Sequence, residues 1–199
     1  MAFAERGDLI WRCGNPAQFA GVVAVGSVKL TQSTPYGSEV AVEVVGPPQS
    51  FGAVAAVGDR RDALSAIAVA NTWYLKVPSS ILLELYQENP SFRDQVFQSV
   101  LPRLRRAHVM IAALSEDRPE SRVASALLLL ADTHGMKTPD GIVIEDTFNE
   151  QTLSELAVTT LESTVQCLGC LEAAGAIKKS KTNLTIRNME PLYRTARLD

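Results

Sequence analysis

Residues 148–186 have the sequence FNEQTLSELAVTTLESTVQCLGCLEAAGAIKKSKTNLTI. Apolar residues recur at helical spacing over 148–157 and again over 161–174, which predicts two helices joined by a tight turn at Val158-Thr159-Thr160. Gly175 ends the second helix, and Ala176–Lys179 and Leu184–Ile186 predict two short strands around a polar turn. This order predicts a winged helix-turn-helix.

The charge of this unit conflicts with its shape. A helix held across another helix is built to enter the DNA major groove, yet no Lys or Arg occurs between Thr138 and Ile177. Affinity for duplex DNA depends mainly on the neutralisation of phosphates by Lys and Arg. Acidic residues surround the unit without a compensating base: Asp140, Glu145, Asp146, Glu150, Glu155, Glu162 and Glu172. Two interpretations stay open: an unusual mode of DNA binding through the wing and the helix ends, or a unit that has lost DNA binding and serves only in packing.

Composition restricts the class of protein. A chain of 199 residues that is 46% hydrophobic is typical of one or two small soluble domains. No apolar run approaches the ~18 residues that span a membrane, and Met1–Arg6 resembles neither a signal nor a transit peptide. We therefore expect a cytoplasmic protein without a membrane partner. Three cysteines, an odd number, argue against a disulfide framework, and the net charge of −3 gives no general attraction to nucleic acid.

The N-terminal part of the chain is predicted to be a small antiparallel β-roll or barrel. Residues 8–77 contain alternating runs at Ser27–Thr31, Glu39–Val44 and Trp73–Val77, and period-two alternation predicts half-buried strands. Gly- and Pro-rich turn signals separate these runs, which favours many short strands.

A helical zone follows, from about Ser79 to Glu116, with Ser91 as the expected N-cap of a long helix. Pro102 must kink or start a helix because it supplies no N–H. An apolar stripe either covers the roll or pairs two subunits; it comprises Phe97, Val100, Leu101, Leu104, Ala107, Ile111 and Leu114.

The polar residues Ser115–Glu120 are the predicted hinge between an N-terminal domain, 1–116, and a C-terminal domain, 117–199. The dimerisation helix is expected at about 91–116. An apolar helix at 123–131 and a hairpin at 139–144 lead into the helix-turn-helix.

Four short motifs, in order and at matching spacing, carry a family resemblance. They are Gly7–Ile10 followed by Cys13–Ala17, Gly26–Leu30, Phe51-Gly52, and the helix-turn-helix line from Leu153 to Ile177. On these motifs nearly the whole chain resembles the cyclic-AMP receptor protein/fumarate–nitrate reductase regulator (CRP/FNR) family.

The resemblance implies an α+β fold with three parts. These are an N-terminal antiparallel β-roll of the cyclic-nucleotide-binding, jelly-roll type, a long dimerisation helix and a C-terminal winged helix-turn-helix. It implies a homodimer that reads a palindromic promoter site, with RNA polymerase as a candidate partner. The implied dimer interface comprises Phe97, Val100, Leu104, Ala107, Ile111 and Leu114.

Departures from the family pattern affect the DNA reader. Where the family usually has an Arg, then Glu, and later a Ser-Arg pair, this chain has Leu161, Glu162, Val165 and Gln166, which share one helix face. Leu161 and Val165 can touch only thymine methyls, whereas Gln166 can pair with adenine and Glu162 can accept from cytosine N4. The predicted DNA contacts are Thr159, Thr160, Leu161, Glu162, Val165, Gln166, Lys178, Lys179 and Lys181.

Departures also affect the effector pocket that the resemblance implies. Cyclic-nucleotide binders of the family hold the ribose with a Glu and the phosphate with an Arg, where this chain has Ala53 and Asp62. Cyclic AMP is therefore not expected, and the roll binds another, unknown small-molecule effector or none. Two interpretations of Arg60 and Arg61 stay open. One of them takes the place of the family's phosphate-binding Arg after a register shift, or both are solvated loop cations. The candidate pocket comprises Phe51, Gly52, Ala53, Arg60 and Arg61.

Other chemistries have little support. Cys13 stands alone in the roll, so a four-thiolate iron–sulfur cluster cannot form there. The Cys167–Cys170 C-x-x-C spacing favours helix packing over a metal or redox site, and His108 and His134 are interpreted as structural or solvent-facing rather than as haem ligands. No cofactor or metal is expected.

No phosphate-binding loop, dinucleotide fingerprint or hydrolase motif occurs, so an enzyme is not expected. The sequence predicts a homodimeric DNA-binding transcription regulator that cyclic AMP does not control. The alternative is a regulator-like protein that has lost DNA reading and acts through ligand or protein binding.

Overall fold

The structure is a computed structural model that describes residues 1–35, 37–145, 149–180 and 183–196. The chain divides into two compact units, residues 1–105 and 106–199. The α+β class, with a β-rich N-terminal part, a long helix and a C-terminal helix-turn-helix part, confirms the prediction.

The N-terminal unit is built from two antiparallel sheets of four strands each, ordered β1-β8-β3-β6 and β2-β7-β4-β5. The alternating runs predicted from the sequence are strands β4, β5 and β8. The strands are β1 (Ala2–Ala4), β2 (Leu9–Trp11), β3 (Phe19–Val25), β4 (Val28–Ser33), β5 (Glu39–Val45), β6 (Ser50–Phe51), β7 (Ser65–Ala68) and β8 (Thr72–Pro78). The helices are α1 (Ala53–Val57), α2 (Ser79–Glu88) and α3 (Pro90–Leu114), the last of which crosses the division at residue 105.

Aromatic residues from both sheets form the core of the roll. Phe51 is fully buried, and its ring stacks on Trp11 at 5.0 Å and meets Tyr74 edge-on at 5.6 Å between centroids. Gly21 of β3 is required by this packing, because a Cβ there would lie 2.2 Å from the Phe51 ring. A smaller apolar cluster of Ala20, Ala56 and Leu82 joins α1 and α2 to β3.

The long helix α3 begins one residue before the expected cap. The prediction of Ser91 as N-cap is wrong, because Pro90 is already helical and the Asn89 side chain accepts a hydrogen bond from the Phe92 N–H at 3.1 Å. Proline suits the first helical position, where its missing N–H would have no intrahelical partner. Pro102 lies inside the helix and does not start a new one.

The C-terminal unit places helices around a mixed-length antiparallel sheet with strand order β11-β12-β10-β9. Its helix α4 (Pro119–His134) has apolar residues on almost every side, and most of its length is buried. Its elements are α4 (Pro119–His134), β9 (Gly135–Thr138), β10 (Gly141–Glu145), α5 (Glu150–Leu156), α6 (Leu161–Ala173), β11 (Ile177–Lys179), β12 (Asn183–Ile186) and α7 (Glu190–Ala196).

This unit confirms the predicted hairpin, the two helices and the wing strands. Helix α7 was not predicted; it lies against α4, where the Ser121 hydroxyl donates to the Thr195 carbonyl at 2.8 Å. Phe148, the first residue of the predicted α5, lies outside the described residues, and α5 instead begins after an Asn149 cap that accepts from the Thr152 N–H at 2.9 Å.

Candidate nucleic-acid interface and effector pocket

The turn between α5 and α6 is fixed by local hydrogen bonds. Thr160 caps α6, since its Oγ1 accepts from the Ser163 N–H at 3.1 Å, and the Thr164 hydroxyl donates back to the Thr160 carbonyl at 3.0 Å. Val158 adopts a left-handed φ of 48°, and the Thr159 N–H donates to the Ser154 carbonyl at 3.0 Å. The free amides of the first turn of α6 therefore begin at a defined point on the surface.

Helix α6 separates a packed face from an exposed face. Thr164, Cys167, Leu168 and Leu171 are buried against the rest of the unit. The opposite side carries all four residues predicted to read bases: Leu161 (45% exposed), Val165 (43% exposed), Glu162 and Gln166. The structure thus brings these four residues together on one solvent-facing surface, which we call the reader face.

The wing supplies fewer free cations than the sequence suggests. Lys178 is exposed, but the Lys179 ammonium pairs with the Glu150 carboxylate of α5 and its backbone N–H donates to Glu172 Oε1 at 2.9 Å. The expectation that Glu150 lacks a compensating base is therefore wrong, because a base 29 residues away folds back onto it. Lys181 lies outside the described residues.

The cysteines and histidines of this unit have structural surroundings. Cys167 is buried and Cys170 is exposed, and burial, with Glu120 and Cys170 nearby, raises the pKa of the Cys167 thiol. Burial, together with Arg106, lowers the pKa of His134 to about 4, so its ring is neutral at pH 7. Within the described parts of the chain, no group of three or more His, Cys, Asp or Glu side chains could hold a metal ion.

The apolar stripe of α3 is solvent-exposed in the single chain. Phe97 is 61% exposed, Leu104 50% and Ile111 66%; Ala107 is also exposed, whereas Val100 and Leu114 are half-buried. Large apolar side chains at three- and four-residue steps along an exposed helix are typical of a helix that packs on another chain. Among the described residues, no helix is both long and apolar enough to cross a membrane.

A cavity of about 150 Å³ lies in the N-terminal unit beside the predicted effector residues. Of those residues, Gly52 lines it, and Phe51 lies buried against the cavity-lining Trp11. Gly52 has a φ of 78°, and a Cβ there would lie 2.9 Å from the Trp11 ring, so only glycine fits. The residues that line the cavity are Trp11, Leu30, Glu43, Gly52, Val54, Ala55, Asp62, Ala63, Leu64 and Arg103.

The remaining predicted pocket residues do not line this cavity. Ala53 packs toward the cluster of Ala20, Ala56 and Leu82. Arg60 and Arg61 are exposed, and the Arg61 guanidinium donates to the Gly14 carbonyl at 2.8 Å.

The charged groups of the cavity are Asp62, Glu43 and Arg103. Asp62 is only 5% exposed, and its Oδ1 has no hydrogen-bond partner among the described residues. Burial raises the pKa of Asp62 to about 6. Sequence reasoning missed Glu43 and Arg103, since no motif links positions on β5 and α3 that meet only in the fold.

The raised pKa of Asp62 predicts an unusual dependence of stability on pH. The ordinary value is 3.8 and the folded value about 6, so between these pH values the folded protein holds a proton that the unfolded chain has released. Stability is therefore expected to fall as pH rises from about 4 to about 6. Asp62→Asn should remove this fall and be more stable than the wild type at pH 7, as measured by urea unfolding. An unchanged pH profile in Asp62→Asn would contradict the assignment, and Asp59→Asn, at an exposed position nearby, is the control.

Comparisons with known proteins match both units. A family model described as "Cyclic nucleotide-binding domain" matches residues 2–89, and one described as "Crp-like helix-turn-helix domain" matches residues 121–195. The chain is 28% identical over 186 residues to the global nitrogen regulator of Synechococcus elongatus, covering 92% of this chain and 84% of that protein. It is 23% identical over 192 residues to a CRP-like cAMP-activated global transcriptional regulator of Mycobacterium tuberculosis, covering 96% and 86%.

Solved structures share the fold. FixK2 from Bradyrhizobium japonicum superposes with a TM-score of 0.85 at 18% identity, over 98% of this chain and 95% of that chain. A transcriptional regulator of the CRP family from Thermus thermophilus superposes with a TM-score of 0.77 at 21% identity, over 99% and 97%.

Proposed function

The chain belongs to the CRP/FNR family of DNA-binding transcription regulators, and from this premise we propose that it acts as a homodimer that cyclic AMP does not control. Each subunit presents its reader face to one half of a palindromic promoter site. A regulator of promoters works beside the chromosome and RNA polymerase, so we place it in the cytoplasm, with RNA polymerase as a candidate partner.

The proposal of DNA recognition rests on the reader face of α6. Leu161 and Val165 lie four residues apart and nearly half exposed at the start of a helix whose other side is packed. Apolar side chains at this place suit the C5-methyl group of thymine, and Gln166 suits adenine. We therefore infer half-sites rich in A·T pairs at the positions that α6 reads.

Phosphate contacts come from the edges of this face. The N-terminal amides of α6, which begin after the Thr160 cap, favour an anion, and Lys178 is an exposed cation on the wing. Gly169 is exposed on α6, and a Cβ there would meet no atom within 4 Å, so internal packing does not require glycine. The bare backbone at Gly169 leaves room for DNA to lie close to the helix.

The proposal of a homodimer rests on the exposed stripe of α3. Phe97, Leu104 and Ile111 would each leave at least half of a large apolar side chain in water in a monomer. Full burial of such a side chain is favourable by about 1.5–3 kcal/mol. Covering the part that is still exposed gains a corresponding share, so a second copy of the same helix is the expected cover.

The proposal that cyclic nucleotides do not control the protein rests on the charge and size of the cavity. Its volume of about 150 Å³ is below the roughly 300–1,000 Å³ of sites that hold drug-sized ligands. Asp62 adds a negative charge to the cavity wall that would repel a phosphate, and neither Arg60 nor Arg61 is among the lining residues.

Cyclic AMP and cyclic GMP are accordingly expected to leave the melting temperature of the protein unchanged at millimolar concentration. A ligand at 100 times its dissociation constant stabilises a fold by about 2.7 kcal/mol, which differential scanning fluorimetry resolves easily. The matched measurement uses Asp62→Asn, which removes the repelling charge. A clear shift in the wild type would overturn this part of the proposal.

A further inference from the structure

Asp62 is a buried carboxyl group without an evident partner. Its side chain is 5% exposed, it lines the cavity, and no described group hydrogen-bonds to its Oδ1. Buried polar groups are nearly always hydrogen-bonded, and a buried charge without a partner is costly. The wall of the cavity therefore contains a carboxyl group whose Oδ1 has no donor among the described residues.

The other charges of the cavity do not neutralise Asp62. The Arg103 Nε lies 3.4 Å from Glu43 Oε1, and an Nη of the same guanidinium donates to the Ser50 carbonyl. Arg103 is thus engaged by Glu43 and Ser50 rather than by Asp62. With Asp62 ionised, the three groups sum to one negative charge, so the cavity favours a cation over an anion.

The rest of the wall suits a small organic cation. Trp11, Leu30 and Leu64 supply apolar surface, and the Trp11 indole N–H is already used by the Leu64 carbonyl at 3.0 Å. An indole ring is the aromatic surface that attracts a cation most strongly. The volume of about 150 Å³ limits the ligand to a few non-hydrogen atoms.

From these observations we propose that the cavity binds a small molecule carrying a protonated amino group, which pairs with the Asp62 carboxylate. The ligand then supplies Asp62 with the positive charge and the donor that Arg103, engaged by Glu43 and Ser50, does not supply. This inference deepens the proposed function, because it gives a ligand class to the effector cavity of the regulator.

The test measures binding to the 199-residue protein in the absence of DNA. Ethanolamine and L-alaninamide are the cationic probes, ethylene glycol is the uncharged counterpart, and propionate is the anion. Melting temperature and calorimetric heat at pH 7.5 are recorded for the wild type, for Asp62→Asn and for the exposed control Asp59→Asn.

We expect both amines to raise the melting temperature of the wild type and of Asp59→Asn at tens of millimolar, with no shift from ethylene glycol or propionate. Asp62→Asn should bind the amines at least tenfold more weakly. In the wild type, binding should weaken as pH falls below about 6, because Asp62 becomes protonated while the amine stays charged.

Three results would overturn the proposal: no shift with either amine, equal shifts with ethylene glycol, or undiminished binding by Asp62→Asn. The pH series tests the same point in the wild type, so the proposal does not depend on the folding of a variant. DNA binding is measured separately by fluorescence anisotropy; its absence would count against the proposed function, whereas amine binding decides this inference alone.

Discussion

Replacing both Leu104 and Ile111 by glutamate is expected to convert a dimer into monomers. Both side chains are at least half exposed in the single chain and lie on the stripe of α3. In a dimer, the double substitution would place four carboxylates in an apolar interface, where a buried charge without a partner is strongly unfavourable. A total of roughly 4 kcal/mol or more corresponds to about a thousandfold increase in the dissociation constant of the dimer.

Multi-angle light scattering at micromolar concentration measures this change. Gln95→Glu with Gln98→Glu is the matched control, because it adds the same charge at exposed positions of α3 outside the stripe. We expect the control to remain a dimer. A monomeric wild type, or a double Leu104→Glu, Ile111→Glu variant that still dimerises, would show that the stripe has another role.

The second expected result is a gain of DNA affinity from Leu161→Arg. The exposed position at the start of α6 faces solvent, so a guanidinium there can reach a phosphate or a guanine edge. On a duplex with guanine at the position that residue 161 meets, one good Arg–guanine pair is worth about 1–3 kcal/mol, and a dimer gains two, so affinity should rise at least about tenfold. If each new Arg neutralises a phosphate, the slope of log affinity against log salt steepens by about 0.9 per Arg.

The wing offers an internal control for this experiment. Lys178→Ala should weaken binding to all sequences alike, because Lys178 is exposed and unlike Lys179 has no recorded ion pair among the described residues. Lys179→Ala should have a smaller effect on DNA, since the Lys179 ammonium is engaged by Glu150. Fluorescence anisotropy over a salt series separates these outcomes. If Lys179→Ala binds DNA more weakly than Lys178→Ala does, our assignment of the wing cations is reversed.

The helix-turn-helix could be predicted from sequence because its signals are local. Thr160 caps α6, and Gly175, with a φ of 71°, follows the last turn, as short-range sequence rules predict. Strand β3 is less regular, because a register shift between Val23 and Val25 interrupts its alternation. Helix α7 is short and is stabilised by its packing on α4, which no local pattern reveals.

The sites depend on longer-range contacts and were predicted less completely. The reader face follows from helical periodicity alone, so its four residues were found together. Asp62, Glu43 and Arg103 meet only because β5, the loop after α1 and α3 converge, and their spacing in the sequence carries no signal. The Lys179–Glu150 pair likewise spans 29 residues and changes which wing cation is free.

The central claim is that a reader face without cations recognises DNA. Its most direct test is the selection of duplexes from a random library by the wild-type protein. We expect enrichment of a two-fold symmetric site whose half-sites lie about 10 base pairs apart, with A·T pairs where α6 reads. Replacing the thymines of that site by deoxyuridine, which removes only the methyl group, should weaken binding, and Leu161→Ala with Val165→Ala should abolish the difference. No enrichment by the wild type, while Leu161→Arg with Gln166→Arg enriches a palindrome, would instead identify a regulator-like protein that has lost its reader.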